Sequence, residues 1–200
     1  MNTATATLLS ILFLNGELPD GFKASGEAKV SSDGIPVVIT RAERIDGLNS
    51  GIGGEHISQT VTEDGKLLGY VRMTREMAQP AELPDKETAY KIAKQVMKNH
   101  APELLNNHKV HWIDTHDEII STTEKGEQRN ITLTGMKVKM RATTSDKLWF
   151  WVIVGPDNKV MAFERDIYWV TIPGHRRTEK WLHDSWVSQH PDVVKQLTEI

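Results

Sequence analysis

The residues of this chain best suited to chemistry lie in its second half. His108, His111 and His116 stand close together, with Asp114 and Asp117 among them. Histidine and carboxylate together suit a metal-dependent hydrolase, provided they converge at roughly 2.0–2.2 Å on one ion. The spacing argues against convergence. Alternate residues of a strand share a face, so His111 faces away from Asp114 and His116, and His108, Asp114 and His116 straddle a long rise. The preferred reading is a polar surface strand; a small hydrolase or metal-dependent enzyme using the 108–117 cluster is the alternative. A second set, His175, His183, Asp184 and Ser185, holds the residue types of a hydrolytic triad. A triad needs a nucleophile hydrogen-bonded to a base that is itself oriented. Neighbours on a helix point apart, and no G-x-S-x-G turn is present. No catalytic, cofactor-binding or metal-ligating residue is therefore assigned, and the chain is expected to be non-enzymatic, with no cofactor.

Residues that bind rather than react are easier to find. Lys137, Lys139 and Arg141 alternate along one strand face, and like charges in a row must meet water or an acidic partner. Arg176, Arg177 and Lys180 form a basic cluster where the last strand meets the C-terminal helix; it either satisfies nearby carboxylates such as Glu179 and Asp184 or, with Lys137, Lys139 and Arg141, makes a basic face for an acidic partner or anionic lipid heads. Trp149 and Trp151 share one side of a strand, and Trp181 and Trp186 are expected to lie over them. Buried, these rings are core; exposed, they are a ligand platform. The candidate ligand or partner surface is thus Trp149, Trp151, Trp181, Trp186, Lys137, Lys139, Arg141, Arg176 and Arg177. Residues 47–54 (GLNSGIGG) have the glycines of a phosphate cradle but no third fingerprint glycine and no P-loop lysine. The strand-like alternation after them makes them a hairpin loop instead.

The positioning elements centre on residues 147–172. KLWFWVIV and KVMAFERDIYWVTI flank GPDN, where Pro156 and Asp157 suit a type I turn and Asn158 the left-handed position after it. Both strand faces are apolar, which calls for a cover on each side. Before this hairpin, residues 131–141 form a strand whose apolar parity changes at Gly135, predicting a β-bulge there. Residues 109–115 form another strand, and 117–128 a polar link. Residues 86–101 form a helix capped by Asp85, with Ala89, Ala93, Val96 and Met97 on one face. Thr178 is expected to cap a helix bearing Trp181, Leu182, Ser185 and Trp186, and Pro191 to open a short final one. Towards the N-terminus, residues 15–26 read as loop, 27–31 and 35–45 as a hairpin around Asp33-Gly34, and 57–61 and 66–73 as a hairpin around Asp64-Gly65. The fold class is α+β, an antiparallel β-sheet packed by helices, with N-terminal β-hairpins. Residues 1–76 form the hairpin region and 85–200 the helix, four-stranded sheet and C-terminal helices; one continuous domain would also accommodate them. The proline-bearing connector 76–84 separates the two.

Bulk properties narrow the class. With 38% hydrophobic and 26% charged residues, neither disorder nor an all-apolar chain is indicated. A net charge of −3 lacks the basic field of a general nucleic-acid binder. The absence of cysteine removes disulfides and thiolate chemistry. Leu8 to Leu14 (LLSILFL) is too short to span a bilayer. It reads as a strand or helix docked on the core, with a degenerate secretion signal as the alternative.

Three segments carry a family resemblance: GKLLGYV at 65–71, DKETAYKIAKQVM at 85–97 and LWFWVIVGPDNKVMAFERD at 148–166. Their order resembles the PepSY and YcdB-like domains of bacteria, in which a strand precedes a helix with an acidic-Ala-x-x-x-Ala pattern, here Ala89 and Ala93, and a sheet ends in a hairpin. The turn departs from the pattern: Gly155-Pro156-Asp157-Asn158 stands where Asp-x-x-x-Gly is usual. The resemblance covers about half the chain. It implies an extracytoplasmic, non-enzymatic domain that binds or restrains a protein partner, and it transfers no catalytic residue. A small apolar ligand held in a Trp-lined pocket is the other expected occupant.

Overall fold

A computed structural model describes residues 18–124 and 126–198; Leu8 to Leu14 fall outside them. Turn chemistry sets the strand boundaries. Asp33 and Gly34 take positive φ (47° and 81°) and join β1 (Phe22–Ser32) to β2 (Ile35–Arg44), as a two-residue hairpin requires. The loop 45–55 leads to β3 (His56–Thr62), and a turn ending at Gly65 (φ 87°) leads to β4 (Leu67–Met73). The helix α1 (Lys86–His100) opens on Asp85, whose carboxylate accepts a 2.7 Å hydrogen bond from the Thr88 N–H. After the short α2 (Pro102–Leu105) come β5 (His108–Glu124), β6 (Glu127–Ala142), β7 (Trp149–Val154) and β8 (Val160–Ile167). β9 (Trp169–Val170) and β10 (His175–Arg176) form a separate small hairpin, and α3 (Asp184–Val187) and α4 (Pro191–Thr198) end the described chain.

All main-sheet strands pair antiparallel in the order β1-β2-β3-β4-β8-β7-β6-β5. The N-terminal hairpins and the later strands therefore share one sheet, joined where Gly69, Tyr70 and Val71 pair with Glu164, Phe163 and Ala162. The protein is roughly α+β, with strand (48%) far outweighing helix (19%). The β7–β8 hairpin lies inside the sheet and is covered on both faces. On the first face, Ala89, Ala93, Val96 and Met97 of α1 pack with Val138, Met140, Phe150, Val152 and Phe163. On the second, Trp151, Ile153, Met161 and Ile167 pack with Met77 and Leu182. Further along the second face, α4 lies on β1, where Val193 and Leu197 meet Ala28 and Ile39.

Several expectations change. Residues 22–26 are strand, not loop, with a bulge between Ala24 and Gly26. A Cβ on Gly26 would sit 2.2 Å from the Gln196 carbonyl oxygen, so glycine there permits α4 to dock. Residues 117–128 are not a link: β5 and β6 pair without a register shift from Trp112↔Lys139 to Glu124↔Glu127. Nor is there a bulge at Gly135. The parity change marks a change of covered face: Met136, Val138 and Met140 point to α1, while Leu133 and Gly135 point to the second face beneath Met77 and Ile153. Gly135 is small because a Cβ would lie 2.5 Å from Ile153 Cγ2. The far arm of β5 and β6 curls over that second face. There Ser121 N–H donates to Gly53 O (2.7 Å) and Thr123 N–H to Asn49 Oδ1 (2.7 Å), bringing the sheet's last strand to the β2–β3 loop. Thr178 caps no helix. Its hydroxyl accepts from Tyr168 N–H and donates to Asp33, and the helix in this region is only Asp184–Val187.

Candidate binding surface

Antiparallel register assembles the surface. Lys137 stands across from Ile153, Lys139 from Trp151 and Arg141 from Trp149, so alternating cations of β6 lie beside the indoles of β7 on the second face. Each ammonium or guanidinium lies over a ring: Lys137 4.4 Å from the centroid of Trp151, Arg141 5.1 Å from that of Trp149. Lys139 is surrounded by three indoles, Trp149 at 4.7 Å, Trp169 at 5.1 Å and Trp112 at 5.7 Å. Ring quadrupoles attract such cations and compensate part of their lost hydration. Burial still pushes the Lys137 ammonium down to about 8, although Glu164 and Glu118 pull it up, and it lowers Lys139 as well.

At the end of this stripe lies a groove of about 600 Å³, lined by Lys109, Val110, His111, Arg141, Ala142, Thr143, Lys147 and Trp149. A bulge at His111 turns that ring onto Trp149, edge to face at 5.0 Å. No carboxylate lines the groove. Lys109, Arg141 and Lys147 have no ion-pair partner among the described residues, and Arg141 Nε–H donates to the Lys147 carbonyl (3.0 Å). The site is therefore electropositive, with one aromatic wall.

Two buried carboxylate clusters fasten the C-terminal segment behind this surface. Glu164, 3% exposed, pairs with Arg176 at 2.7 Å and His183 at 3.0 Å. Burial would raise the Glu164 carboxyl, but Arg176 and then His183 outweigh it and hold it well below the usual range. Burial likewise lowers the His183 imidazole, yet Glu164 prevails and the net shift is upward. The next residue, Asp184, accepts two bonds from Arg41 (2.8 and 3.0 Å) and one from Gly53 N–H (2.5 Å). Arg41, 1% exposed, also reaches Glu43 at 2.8 Å. His183 and Asp184 thus serve different clusters, and Ser185 is exposed beside them.

The structure brings Trp149, Trp151, Lys137, Lys139, Arg141 and Arg176 together, with Arg176 5.7 Å from the Trp151 ring. Trp181 and Trp186 do not cover them. They meet each other (6.3 Å) and His190 near α4, and Trp181 Nε1–H donates to Ser31 O. Their place over Trp151 is taken by Leu182 and Arg176, because the expected helix does not form before Asp184. Arg177 stacks on Tyr168 at 3.9 Å and pairs with Asp33. The histidines of 108–117 disperse: His108 binds the Tyr90 hydroxyl and Leu104 carbonyl, His111 abuts Trp149, and His116 pairs with Glu118. Among the described residues no cluster of three or more His, Cys, Asp or Glu is arranged to hold a metal. Sequence reasoning missed Lys109, Lys147, Trp112 and Trp169 as members of the surface, because cross-strand register and the return of the C-terminal segment unite them. It also missed Glu164, whose one signal is a carboxylate placed directly after the apolar run VMAF of a central strand. No helix among the described residues is long and apolar enough to cross a membrane. No family model, curated protein or solved structure matches this chain.

Proposed function

We propose that this protein is a non-catalytic binding module of PepSY-like type that grips an acidic segment of a protein partner. The observation that carries this reading is the groove of about 600 Å³ with Lys109, His111, Arg141, Lys147 and Trp149 in its walls and no carboxylate. Guanidinium and ammonium groups without an internal ion-pair partner are available to carboxylates, and charge-assisted hydrogen bonds are the stronger kind. Trp149 offers a flat apolar wall for the stem of a glutamate or an aromatic neighbour. A carrier of apolar ligands beneath the C-terminal segment has less support. The spaces beside Leu182 are about 50 and 90 Å³, far below the several hundred Å³ of an ordinary ligand pocket, and the groove of about 400 Å³ beside Tyr168 and Arg177 sets Asp33, Glu103, Asp146 and Asp166 in its walls along with Trp149 and Phe150.

The test is titration of a short polyglutamate peptide, followed by tryptophan fluorescence at low salt, against a glutamine peptide of equal length. Glutamate should bind and glutamine should not. The double variant Arg141→Glu, Lys147→Glu should weaken binding by about a hundredfold, two charged contacts at about 1.5–3 kcal/mol each giving at least that. Equal affinity for the two peptides, or an unchanged double variant, would sink the reading.

A further inference from the structure

Residues 167–174 read IYWVTIPG, eight positions without a charged side chain, followed at once by His175-Arg176-Arg177. They form the end of β8 and most of the β9–β10 hairpin, which stands outside the main sheet. The tip, residues 171–174, is exposed throughout. Ile172 is 86% exposed, more than any other large hydrophobic among the described residues, and Tyr168 and Trp169 are 41% and 40% exposed. A lone exposed isoleucine needs no explanation. An isoleucine and proline at a protruding tip, with tyrosine and tryptophan at its base, form an ordered arrangement by depth.

The base is held firmly. Arg177 N–H donates to Tyr168 O (2.9 Å), Thr178 Oγ1 accepts from Tyr168 N–H (2.8 Å), and Arg176 is tied to Glu164 and to the Thr178 and Glu179 carbonyls. Cations ring it: Arg177 beneath Tyr168, Lys139 beside Trp169, and, at the same end of the sheet, Lys109, Arg141 and Lys147. Of the nearby carboxylates, Asp33 is engaged with Arg177 and Thr178, Asp166 with Lys66 and Arg165, and Glu103 with Arg165, while Asp146 accepts from the Thr144 hydroxyl. The net display is an apolar convex point in a basic collar.

We infer that this hairpin is a membrane-contact tip for a bilayer surface bearing anionic headgroups. Ile172 and Pro173 enter the boundary of the acyl region, Trp169 and Tyr168 lie at headgroup level where amphipathic rings concentrate, and the collar meets the anionic lipids. The bilayer fits better than a protein pocket because the apolar tip is convex and Arg177 and Lys139 flank its base apart from the groove cations Lys109, Arg141 and Lys147, so that the positive charge extends along a surface. This goes beyond the groove reading and does not depend on it. Together they would seat the partner-binding groove close to a membrane.

The experiment is co-sedimentation of the full chain with vesicles of phosphatidylcholine alone and with about one quarter phosphatidylglycerol, at low and physiological salt. Partition onto the anionic vesicles is expected, weakening with salt, with a blue shift of tryptophan emission. Ile172→Asp should lower the partition coefficient about tenfold or more, since a charge replaces an apolar group at the point of insertion. Its side chain is exposed, so the fold should be kept, as an unchanged circular dichroism spectrum and polyglutamate affinity would verify. Wild type and Ile172→Asp sedimenting alike would overturn the assignment and leave the tip to a protein partner; so would equal binding to neutral and anionic vesicles. Failure of polyglutamate to bind would strike the groove reading alone.

Discussion

Replacing Glu164 with glutamine tests how the binding surface is held in place. The substitution keeps shape and removes one charge. In the native protein Glu164 is 3% exposed and faces two cations of the C-terminal segment, Arg176 (side chain 6% exposed, 2.7 Å) and His183 (3.0 Å). Without the carboxylate, Arg176 keeps its charge in a place that water barely reaches. Breaking a buried pair on one side costs about 3–5 kcal/mol. For a protein of this size each kcal/mol moves the midpoint of thermal unfolding by about 2–4 °C, so a loss of about 6–20 °C is expected. The pH profile gives an independent check. His183 titrates higher in the folded protein than in the unfolded one, because Glu164 outweighs the effect of burial. Its contribution is fully present below the ordinary histidine value and is lost as pH rises through the raised folded value. Glu164 is lowered instead, so its share holds through neutral pH and falls only in strong acid, as pH drops through its folded value. Thermal unfolding followed by circular dichroism from pH 6.5 to 8, above the range where the lowered His56 changes charge and below that where the lowered Lys137 adds stability with rising pH, should therefore show wild type losing stability as His183 gives up its proton. Glu164→Gln should be less stable throughout and should lack that step. A midpoint within about 2 °C of wild type, or an unchanged step, would refute the reasoning.

Two further outcomes follow from other contacts. Gly26→Ala places a methyl against the backbone of Gln196 and Leu197; overpacking of this kind costs about 1–3 kcal/mol, and hydrogen exchange should speed up in α4 while α1 stays protected. A similar rate in both helices would contradict the docking role of Gly26. Lys137, lowered to about 8 by burial, should react with an amine-acylating reagent with a midpoint near that pH by mass spectrometry. Glu164→Gln should lower the midpoint further, since Glu164 works to raise it; a midpoint in the ordinary lysine range would show the amine to be solvated.

The local parts of the fold were legible because each rests on a few adjacent residues. Asp33-Gly34, Gly65 and Asn158 mark turns that the backbone takes at positive φ, and Asp85 caps α1 as its position suggests. The double-sided pattern of β7 led to a cover on each face: α1 takes one as expected, whereas Met77 and Leu182, not a tryptophan-bearing helix, take the other. What stayed hidden depends on contacts between distant segments. β4 pairs with β8, and nothing near either strand announces it. The parity change at Gly135 looked like a bulge because sequence cannot tell a slipped strand from one whose covered face changes along its length. The polar run 117–128 looked like a link because a strand curled over its own sheet is paired along one side and half in water on the other. In the surface itself, the stripe Lys137, Lys139 and Arg141 was visible by alternation, whereas Lys109, Lys147 and Trp169 join it only through register and the returning C-terminal segment.

The pairing of β4 with β8 also bears on how the protein is made. Chains leave the ribosome N-terminus first, and β1 to β4 can zip as successive hairpins as soon as they emerge. β4 then remains an open sheet edge until residues 162–164 arrive to cover it, and such an edge is a template for unwanted pairing. Arg41, sealed at 1% exposure in the finished protein, has to await Asp184 for its main counter-charge. The bond from Ser25 to Leu197 joins residues 172 apart. The first strand thus receives its cover only after residue 197 has emerged, so a nascent chain halted before α4 would carry β1 and β2 with their second face bare, the state most in need of a chaperone.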